Sequence, residues 1–398
     1  MKLGVRRVPG LDANAPLPDS EPGLLARIVG EIRDAGPMTF ARFMAIALYD
    51  PNAGYYTAGP GGPGRGGDFL TAPEGHPIFG WAIARHVEEL WGRLGRPGRF
   101  VVREHGAGTG ALGVALLDGL RRSGSALAQA VTYQAAEVSA LRHDQLRAQF
   151  AAAGLDDRLE PLDDRPAACL VLANELLDAL PVHLVEGGPG GELREVFVGL
   201  DPAGELVLQA GAPSTPALQA RFDDEGIQLG TGQRAEICLE IDGWLTGAVA
   251  GLERGVLLVI DYGYPADELY ERARGSTLGA YHRHRVHDDP LVAIGRQDLT
   301  AHVDLTAVER AATKAGLMPL GRTIQAQLLA GLGIGDLLVG LQGERGMDLE
   351  RYLAAKSAVV RLLDPRATGR FAVLAFGRDL PAGPPLRGFA AGRAGPPA

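Results

Sequence analysis

The sequence has few cysteines, no long apolar run and no excess of positive charge, and each absence excludes a class of protein. Only Cys169 and Cys238 occur among 398 residues, and neither belongs to a C-x-x-C pair, which argues against structural zinc and a disulfide framework. No apolar run reaches the roughly 20 residues that a membrane-spanning helix needs. A net charge of -9 argues against general electrostatic binding to nucleic acid or anionic lipid.

The composition is that of a folded chain. Hydrophobic residues make up 46% and charged residues 22%, close to the average of globular proteins. The first ten residues carry charge with no apolar segment behind them, so we expect no secretory signal. Together with the cysteine usage, this predicts a cytoplasmic location.

Residues 100–113, F-V-V-R-E-H-G-A-G-T-G-A-L-G, read as a strand, a glycine turn and the start of a helix. Glu104 at the strand tip suits the cationic amino-acid end of S-adenosylmethionine, whereas a pyrophosphate would be repelled there. Two of the glycines, with Ala111, also satisfy the G-x-G-x-x-A dinucleotide fingerprint, so a nicotinamide or flavin oxidoreductase remains an alternative. A further interpretation is a tight turn that binds no ligand. The glycines are Gly106, Gly108 and Gly110.

Strand and helix patterns alternate from Phe100 onward, which predicts an α/β fold with a parallel, doubly wound sheet. Between the fourth and fifth strands, alternating segments predict an inserted antiparallel region, and a late hairpin closes the sheet. The predicted strands of the sheet are 100–104, 131–137, about 158–162, 168–173, 255–261, 317–323 and 371–377, and one helix is predicted over 324–340.

The same sequence patterns predict how the chain is divided into tails, a core and an inserted subdomain. The ends are rich in proline, glycine and alanine and are predicted as mobile tails. The glycine-rich stretch 51–77 is long enough for a functional loop or lid. The predicted divisions are a tail at 1–20, a helical region at 21–98, a core at 99–181 and 251–378, an inserted subdomain at 182–250 and a disordered tail at 379–398.

Acidic residues follow two of the predicted strands. Glu137, at the tip of the second strand, is placed to accept hydrogen bonds from both ribose hydroxyls of an adenosine. The alternative role is that of a helix cap, but Ser139 fits that role better. The fourth strand runs into N-E-L-L-D-A-L-P-V-H, where Glu175 and Asp178 are expected on one side of a helical turn, holding an acceptor nucleophile. The alternative is that Asn174 caps a helix whose first turn these acids occupy.

Two further segments carry polar residues. Inside the predicted lid, G-D-F-L-T-A-P-E-G-H-P offers Asp68 and Glu74, and His76 reads as a residue at a helix start. Between 282 and 302 stand four histidines, for which a substrate-facing polar loop is favoured over a metal site because no zinc spacing is present. Trp81 and Trp91 fit either the core or a dimer contact.

Several motifs, taken in order, resemble the MidA family of S-adenosylmethionine-dependent methyltransferases, which is related to a mitochondrial complex I assembly factor. They are the glycine turn together with G-D-F-L-T-A-P-E (67–74), N-E-L-L-D-A-L-P-V-H (174–183), D-Y-G-Y (261–264), T-L-G-A-Y-H-R-H-R and D-L-T-A-H-V-D (298–304). The resemblance spans about residues 25–378.

The resemblance implies a class I, Rossmann-like methyltransferase fold with an N-terminal helical region and an inserted subdomain. It implies a cofactor site at the glycine turn, and methyl transfer to a protein arginine, such as one of a respiratory complex I subunit, or to a small-molecule carboxylate. The cofactor-binding residues expected are Asp68, Glu104, Gly106, Ala107, Gly108, Gly110, Glu137 and Asn174, with Glu175 and Asp178 as catalytic residues and no metal.

Three functions are therefore carried forward. The leading one is methyl transfer by direct displacement, in which positioning of the acceptor supplies most of the acceleration. The second is a nucleotide-dependent oxidoreductase, and the third is a non-catalytic assembly factor on a methyltransferase scaffold. The expected partner is a protein or small-molecule methyl acceptor, with no nucleic acid and no membrane, and a homodimer is possible.

Overall fold

The computed structural model describes residues 16–58, 72–272, 276–283 and 285–390. Its helices are α1 (Pro22–Ala35), α2 (Phe40–Tyr49), α3 (Ala72–Gly75), α4 (Ile78–Arg93), α5 (Ala111–Arg122), α6 (Leu127–Ala130), α7 (Ala140–Ala152), α8 (Ala217–Glu225), α9 (Ile241–Ala248), α10 (Ala266–Arg272), α11 (Leu305–Lys314), α12 (Gln325–Gly331), α13 (Ile334–Gly340) and α14 (Leu349–Leu363). Its strands are β1 (Met38–Thr39), β2 (Phe100–His105), β3 (Val131–Ala136), β4 (Leu159–Glu160), β5 (Ala167–Asn174), β6 (His183–Gly187), β7 (Leu193–Leu200), β8 (Leu206–Gly211), β9 (Arg234–Ile237), β10 (Leu252–Asp261), β11 (Gly263–Tyr264), β12 (Gly279–His282), β13 (Arg285–His287), β14 (Asp298–Thr300), β15 (Val303–Asp304), β16 (Met318–Ile324) and β17 (Ala372–Arg378).

The central sheet has the order β16-β17-β10-β5-β2-β3-β4. The five strands from β10 to β4 are parallel, and β17 pairs antiparallel with both β10 and β16. This confirms the predicted doubly wound sheet and the closing hairpin. Because β2 pairs with both β3 and β5, the strand order reverses beside β2, and ligands of such sheets bind outside the strand ends at that point.

The sheet is buried on both faces, as its continuous apolar strands require. Successive residues alternate between two hydrophobic clusters. Val102 and Leu172 pack against α4, α5 and α14, whereas Val101 and Val171 pack against α9 and α11. Trp81 and Trp91 are each only 8% exposed and belong to the first cluster, so they are core residues.

The inserted segment forms the predicted antiparallel sheet. Strands β6, β7, β8 and β9 pair with one another, and β1 from the N-terminal region extends the sheet beside β7. Helices α1 and α2 cover it, with Ile28 and Met44 packing against Leu184 and Val198. The N-terminal helices are thereby fixed near the carboxyl end of β5, where the chain enters β6.

Three expectations require correction. The helix predicted over 324–340 is two helices, because Gly333 adopts φ +72 between α12 and α13. The tail predicted from residue 379 is wrong for 380–390, where Leu386 and Phe389 are buried in the core. Strand β4 is only two residues long. Residues 1–15, 59–71 and 391–398 lie outside the described residues, and the domain boundaries remain predictions.

Within the described ranges no single helix is long and apolar enough to cross a membrane. One bent pair of helical segments, Gln325–Gly331 with Ile334–Gly343, passes that test by length and composition.

Candidate cofactor and acceptor site

A cavity of about 550 Å³ opens at the carboxyl ends of β2, β3 and β5. Most of the predicted site residues lie in its wall. They are Glu104, Gly106, Ala107, Gly108, Glu137, Asn174 and Glu175. Gly110 and Asp178 lie outside the wall, and Asp68 falls outside the described residues.

The glycine turn allows the backbone to form the floor of this cavity. Gly106 has φ +69, and a Cβ there would stand 2.8 Å from Cδ1 of Leu176. Gly108 has φ +55 and faces open space, so a ligand can approach its backbone closely. Gly110, at φ +83, begins α5, and its Cβ would meet Leu146 at 2.7 Å. Glycine at this position therefore serves the turn and the packing, and its predicted contact with the cofactor remains a prediction.

The carboxylate of Glu137 is held over the glycine turn. Oε2 accepts a hydrogen bond from the backbone N–H of Gly108 at 2.8 Å, and Oε1 accepts one from the N–H of Ser139 at 2.9 Å. Each oxygen retains a lone pair for a ribose hydroxyl. Ser139 is the N-cap of α7, and its Oγ accepts a hydrogen bond from the N–H of Arg142. Ser139 therefore has the capping role, and ribose binding stays the prediction for Glu137.

Glu104 lies at the bottom of the cavity and is 4% exposed. Burial raises the pKa of its carboxyl group to about 8, although a hydrogen bond from the hydroxyl of Tyr133 opposes the shift. Near neutral pH this carboxyl group is therefore largely protonated in the free protein. A cation bound beside it would favour the ionised form.

Cofactor binding is accordingly expected to release a proton from Glu104. At pH 7 we expect release of about one proton per bound S-adenosylmethionine, and affinity that rises with pH up to about 8 and then levels off. Titration calorimetry in two buffers of different ionisation enthalpy measures this release. The Glu104→Gln protein should release none, and an absence of proton release in the unaltered protein would contradict the assignment.

The turn after β5 presents polar groups to the cavity. Glu175 adopts φ +52, a conformation uncommon for residues other than glycine. Its N–H donates a hydrogen bond to the carbonyl of Ile260. The side-chain amide of Asn174 donates to Oε1 of Glu175 at 3.2 Å. Oδ1 of Asn174 is buried in the wall with no hydrogen-bond partner among the described residues, which leaves it available to a ligand donor such as an ammonium group.

The expectation that Glu175 and Asp178 share one side of a helical turn is wrong. Glu175 precedes the short 3₁₀ turn Leu177–Ala179, and its positive φ turns it toward the cavity. Asp178 is buried behind the wall, where burial raises its pKa to about 6 and a hydrogen bond from Tyr262 opposes this shift. Its predicted catalytic role remains a prediction.

Asp261, from the D-Y-G-Y motif, holds this turn in place. Its Oδ2 accepts hydrogen bonds from the N–H groups of Leu176 and Leu177 at 3.1 and 2.8 Å. Oδ2 also accepts a longer hydrogen bond from the N–H of Asp178, and Oδ1 accepts one from the N–H of Tyr262 at 2.8 Å. One buried carboxylate thereby fixes the backbone on which Asn174 and Glu175 stand.

Sequence reasoning missed wall residues that arrive from distant segments. Tyr49 and Tyr56 stack with ring centroids 5.6 Å apart, and their hydroxyls donate to the carbonyl of Ala179 and the carboxylate of Asp298. Trp244 meets His105 edge to face at 5.8 Å. Other wall residues that the sequence reasoning did not select are Thr109, Val138, Arg142, Leu162 and Glu240.

The remaining polar segments differ in whether their side chains line the cavity. Glu74 lines the cavity and accepts a hydrogen bond from Thr109, whereas His76 lies outside the wall and accepts from the N–H of Ile78 at the start of α4. Among the described histidines of the 282–302 segment, Nδ1 of His282 contacts the carbonyl of Arg296 and His302 packs against Tyr262. In the described part of the chain, no group of three or more His, Cys, Asp or Glu is arranged to hold a metal.

Comparison with known proteins adds to this geometry. Residues 82–323 match the family described as "Putative S-adenosyl-L-methionine-dependent methyltransferase". The chain belongs to this methyltransferase family, MidA. S-adenosylmethionine is therefore its cofactor, and the fold is that of the class I enzymes. Membership of this family favours a methyltransferase over a nucleotide-dependent oxidoreductase.

Curated relatives of this MidA-family chain carry a more specific name. "Protein arginine methyltransferase NDUFAF7, mitochondrial" of Mus musculus is 30% identical over 345 residues, covering 78% of this chain and 74% of the relative. The Drosophila melanogaster homolog is 29% identical over 398 residues, covering 90% and 86%. These relatives are named as mitochondrial, and the cytoplasmic location of this chain remains a prediction.

A solved structure is similar over almost the whole chain. The crystal structure of a Burkholderia thailandensis protein bound to S-adenosyl-homocysteine has a TM-score of 0.84 and 35% identity, covering 95% of this chain and 99% of that one. S-adenosyl-homocysteine is the demethylated form of the cofactor. This similarity confirms the fold class predicted from the sequence.

Proposed function

We propose that this methyltransferase transfers its methyl group to a guanidinium nitrogen of a protein arginine. The observation that carries the proposal is the charge of the cavity wall. Among the described residues of the wall, the acidic side chains are Glu74, Glu104, Glu137, Glu175 and Glu240, and Arg142 carries the opposing positive charge. Glu104 adds its negative charge when a cation binds beside it. Such a wall attracts cations and repels a carboxylate acceptor, and the curated relatives are named as protein arginine methyltransferases.

The wall residues fit the cofactor. Gly106 and Gly108 allow close approach of the backbone, and Glu137 accepts the ribose hydroxyls. Val138 is 74% exposed and Leu162 50% exposed, both in the wall, and they offer apolar contacts to an adenine ring. The ammonium end is assigned to Glu104 and to the unpartnered Oδ1 of Asn174. When bound, S-adenosylmethionine supplies an electrophilic methyl group on a positively charged sulfur.

The chain's contribution to the reaction is positioning. An acceptor nitrogen must lie in line with the methyl group, and carboxylates that hold the other guanidinium nitrogens fix this orientation. Glu175 is assigned this role at the carboxyl end of β5. Tyr49 and Tyr56 direct their hydroxyls to protein partners and offer their ring carbons to the cavity. Restriction to a respiratory complex I subunit remains a prediction from the family resemblance.

A labelling experiment tests the acceptor class. The enzyme is incubated with S-adenosylmethionine carrying a tritiated methyl group and a desalted cell lysate, and the protein and small-molecule fractions are separated. We expect base-stable label in protein that is recovered as methylarginine after acid hydrolysis. Label confined to small molecules, or base-labile label typical of a methyl ester, would contradict the proposal. A Gly106→Val protein, in which weaker cofactor binding is expected, serves as the control.

A further inference from the structure

A second carboxylate faces the opening of the cavity from the inserted subdomain. Glu240 is exposed, directly precedes α9, and lies in the cavity wall together with Pro181. It therefore stands where a residue entering from solvent would meet it. The sequence pattern around Glu240 gave no sign of this position, because the cavity is completed only when the insertion folds back onto the core.

The sheet register brings the segment that carries Glu240 to the cavity. Strand β9 pairs with β6, where Ile237 is the cross-strand partner of His183, and Glu240 follows Ile237 by three residues. Pro181, two residues before His183, shares the cavity wall with Glu240. Burial raises the pKa of Glu240, and His183 partly offsets this effect.

We propose that Glu240 and Glu175, which line the same cavity, together bind the guanidinium group of the acceptor. This inference rests on the proposed arginine acceptor. Two carboxylates suit a guanidinium because its planar fork presents donors on more than one edge. Glu240 thereby replaces Asp178, which is buried behind the wall, as the second acidic ligand.

The test measures methylarginine formation in lysate protein at saturating tritiated S-adenosylmethionine. For Glu240→Gln we expect about a tenfold lower rate at low lysate concentration, recovered in part at high concentration, because a charged ligand of the acceptor is lost. The matched control is Glu205→Gln, which removes an exposed carboxylate from the same inserted region.

The outcomes separate this inference from the proposed function. If the unaltered enzyme binds S-adenosylmethionine but forms no methylarginine, the arginine acceptor fails and this inference fails with it. If methylarginine forms but Glu240→Gln behaves like Glu205→Gln, only the present inference is overturned. Equal affinity of all variants for S-adenosyl-homocysteine, measured by calorimetry, shows that each protein is folded.

Discussion

Replacement of Gly106 by valine is expected to weaken S-adenosylmethionine binding on the order of 100-fold, about 3 kcal/mol. Valine is strained at φ +69, and its Cβ would stand 2.8 Å from the side chain of Leu176. The glycine turn or the side chain of Leu176, which lines the cavity, must therefore shift, and the N–H of Gly108 that holds Glu137 lies two residues along the same turn. Titration calorimetry with S-adenosylmethionine measures the loss.

The control for this prediction is Gly124→Val. Gly124 has φ +65, almost the same as Gly106, but nothing lies within 4 Å of its added Cβ, and it follows α5 outside the cavity wall. This variant carries the backbone strain without the clash at the cofactor site, so its affinity should be unchanged. Equal affinity of Gly106→Val and the unaltered protein would contradict the assignment of the glycine turn.

Replacement of Asp261 by alanine is expected to lower the free energy of unfolding by about 3 kcal/mol and to abolish methyl transfer. Asp261 is completely buried, and its carboxylate accepts hydrogen bonds from backbone N–H groups at Leu176, Leu177, Asp178 and Tyr262. Without it these donors are left in a buried site with no acceptor. Urea denaturation monitored by circular dichroism measures the change in stability.

Asp261→Asn tests how many of these hydrogen bonds the turn needs. Its amide oxygen can take the place of Oδ2 and accept from the turn, whereas its NH₂ group faces the N–H of Tyr262, so we expect a smaller loss of stability than with alanine. A stable Asp261→Ala protein that methylates at the normal rate would show that the turn carrying Glu175 does not depend on this carboxylate.

The parts of the site that the sequence predicted are those in which neighbours along the chain are also neighbours in space. A glycine turn after a buried strand, and an acid at the tip of the next parallel strand, meet at one sheet edge for any doubly wound sheet. Gly106, Gly108 and Glu137 were placed in this way. The alternation of short apolar segments after Pro181 similarly predicted the strands of the insertion.

The parts that sequence reasoning did not predict depend on tertiary packing. Tyr49 reaches the cavity because α2 packs on the inserted sheet, and Glu240 does so because β9 lies beside β6. No periodicity connects either residue to the glycine turn. The pairing of Glu175 with Asp178 failed because a single residue with positive φ changes which side chains share a face. Leu386 and Phe389 are packed although the segment around them is rich in proline and glycine.

A crystal structure of the chain with bound S-adenosyl-homocysteine tests the central assignment most directly. We expect the adenosine in the cavity above β2 and β3, with both ribose hydroxyls within hydrogen-bond distance of the Glu137 carboxylate and the amino group beside Glu104 and Asn174. A ribose held by other residues, or a ligand bound outside the wall that Gly106 and Gly108 form, would contradict the account.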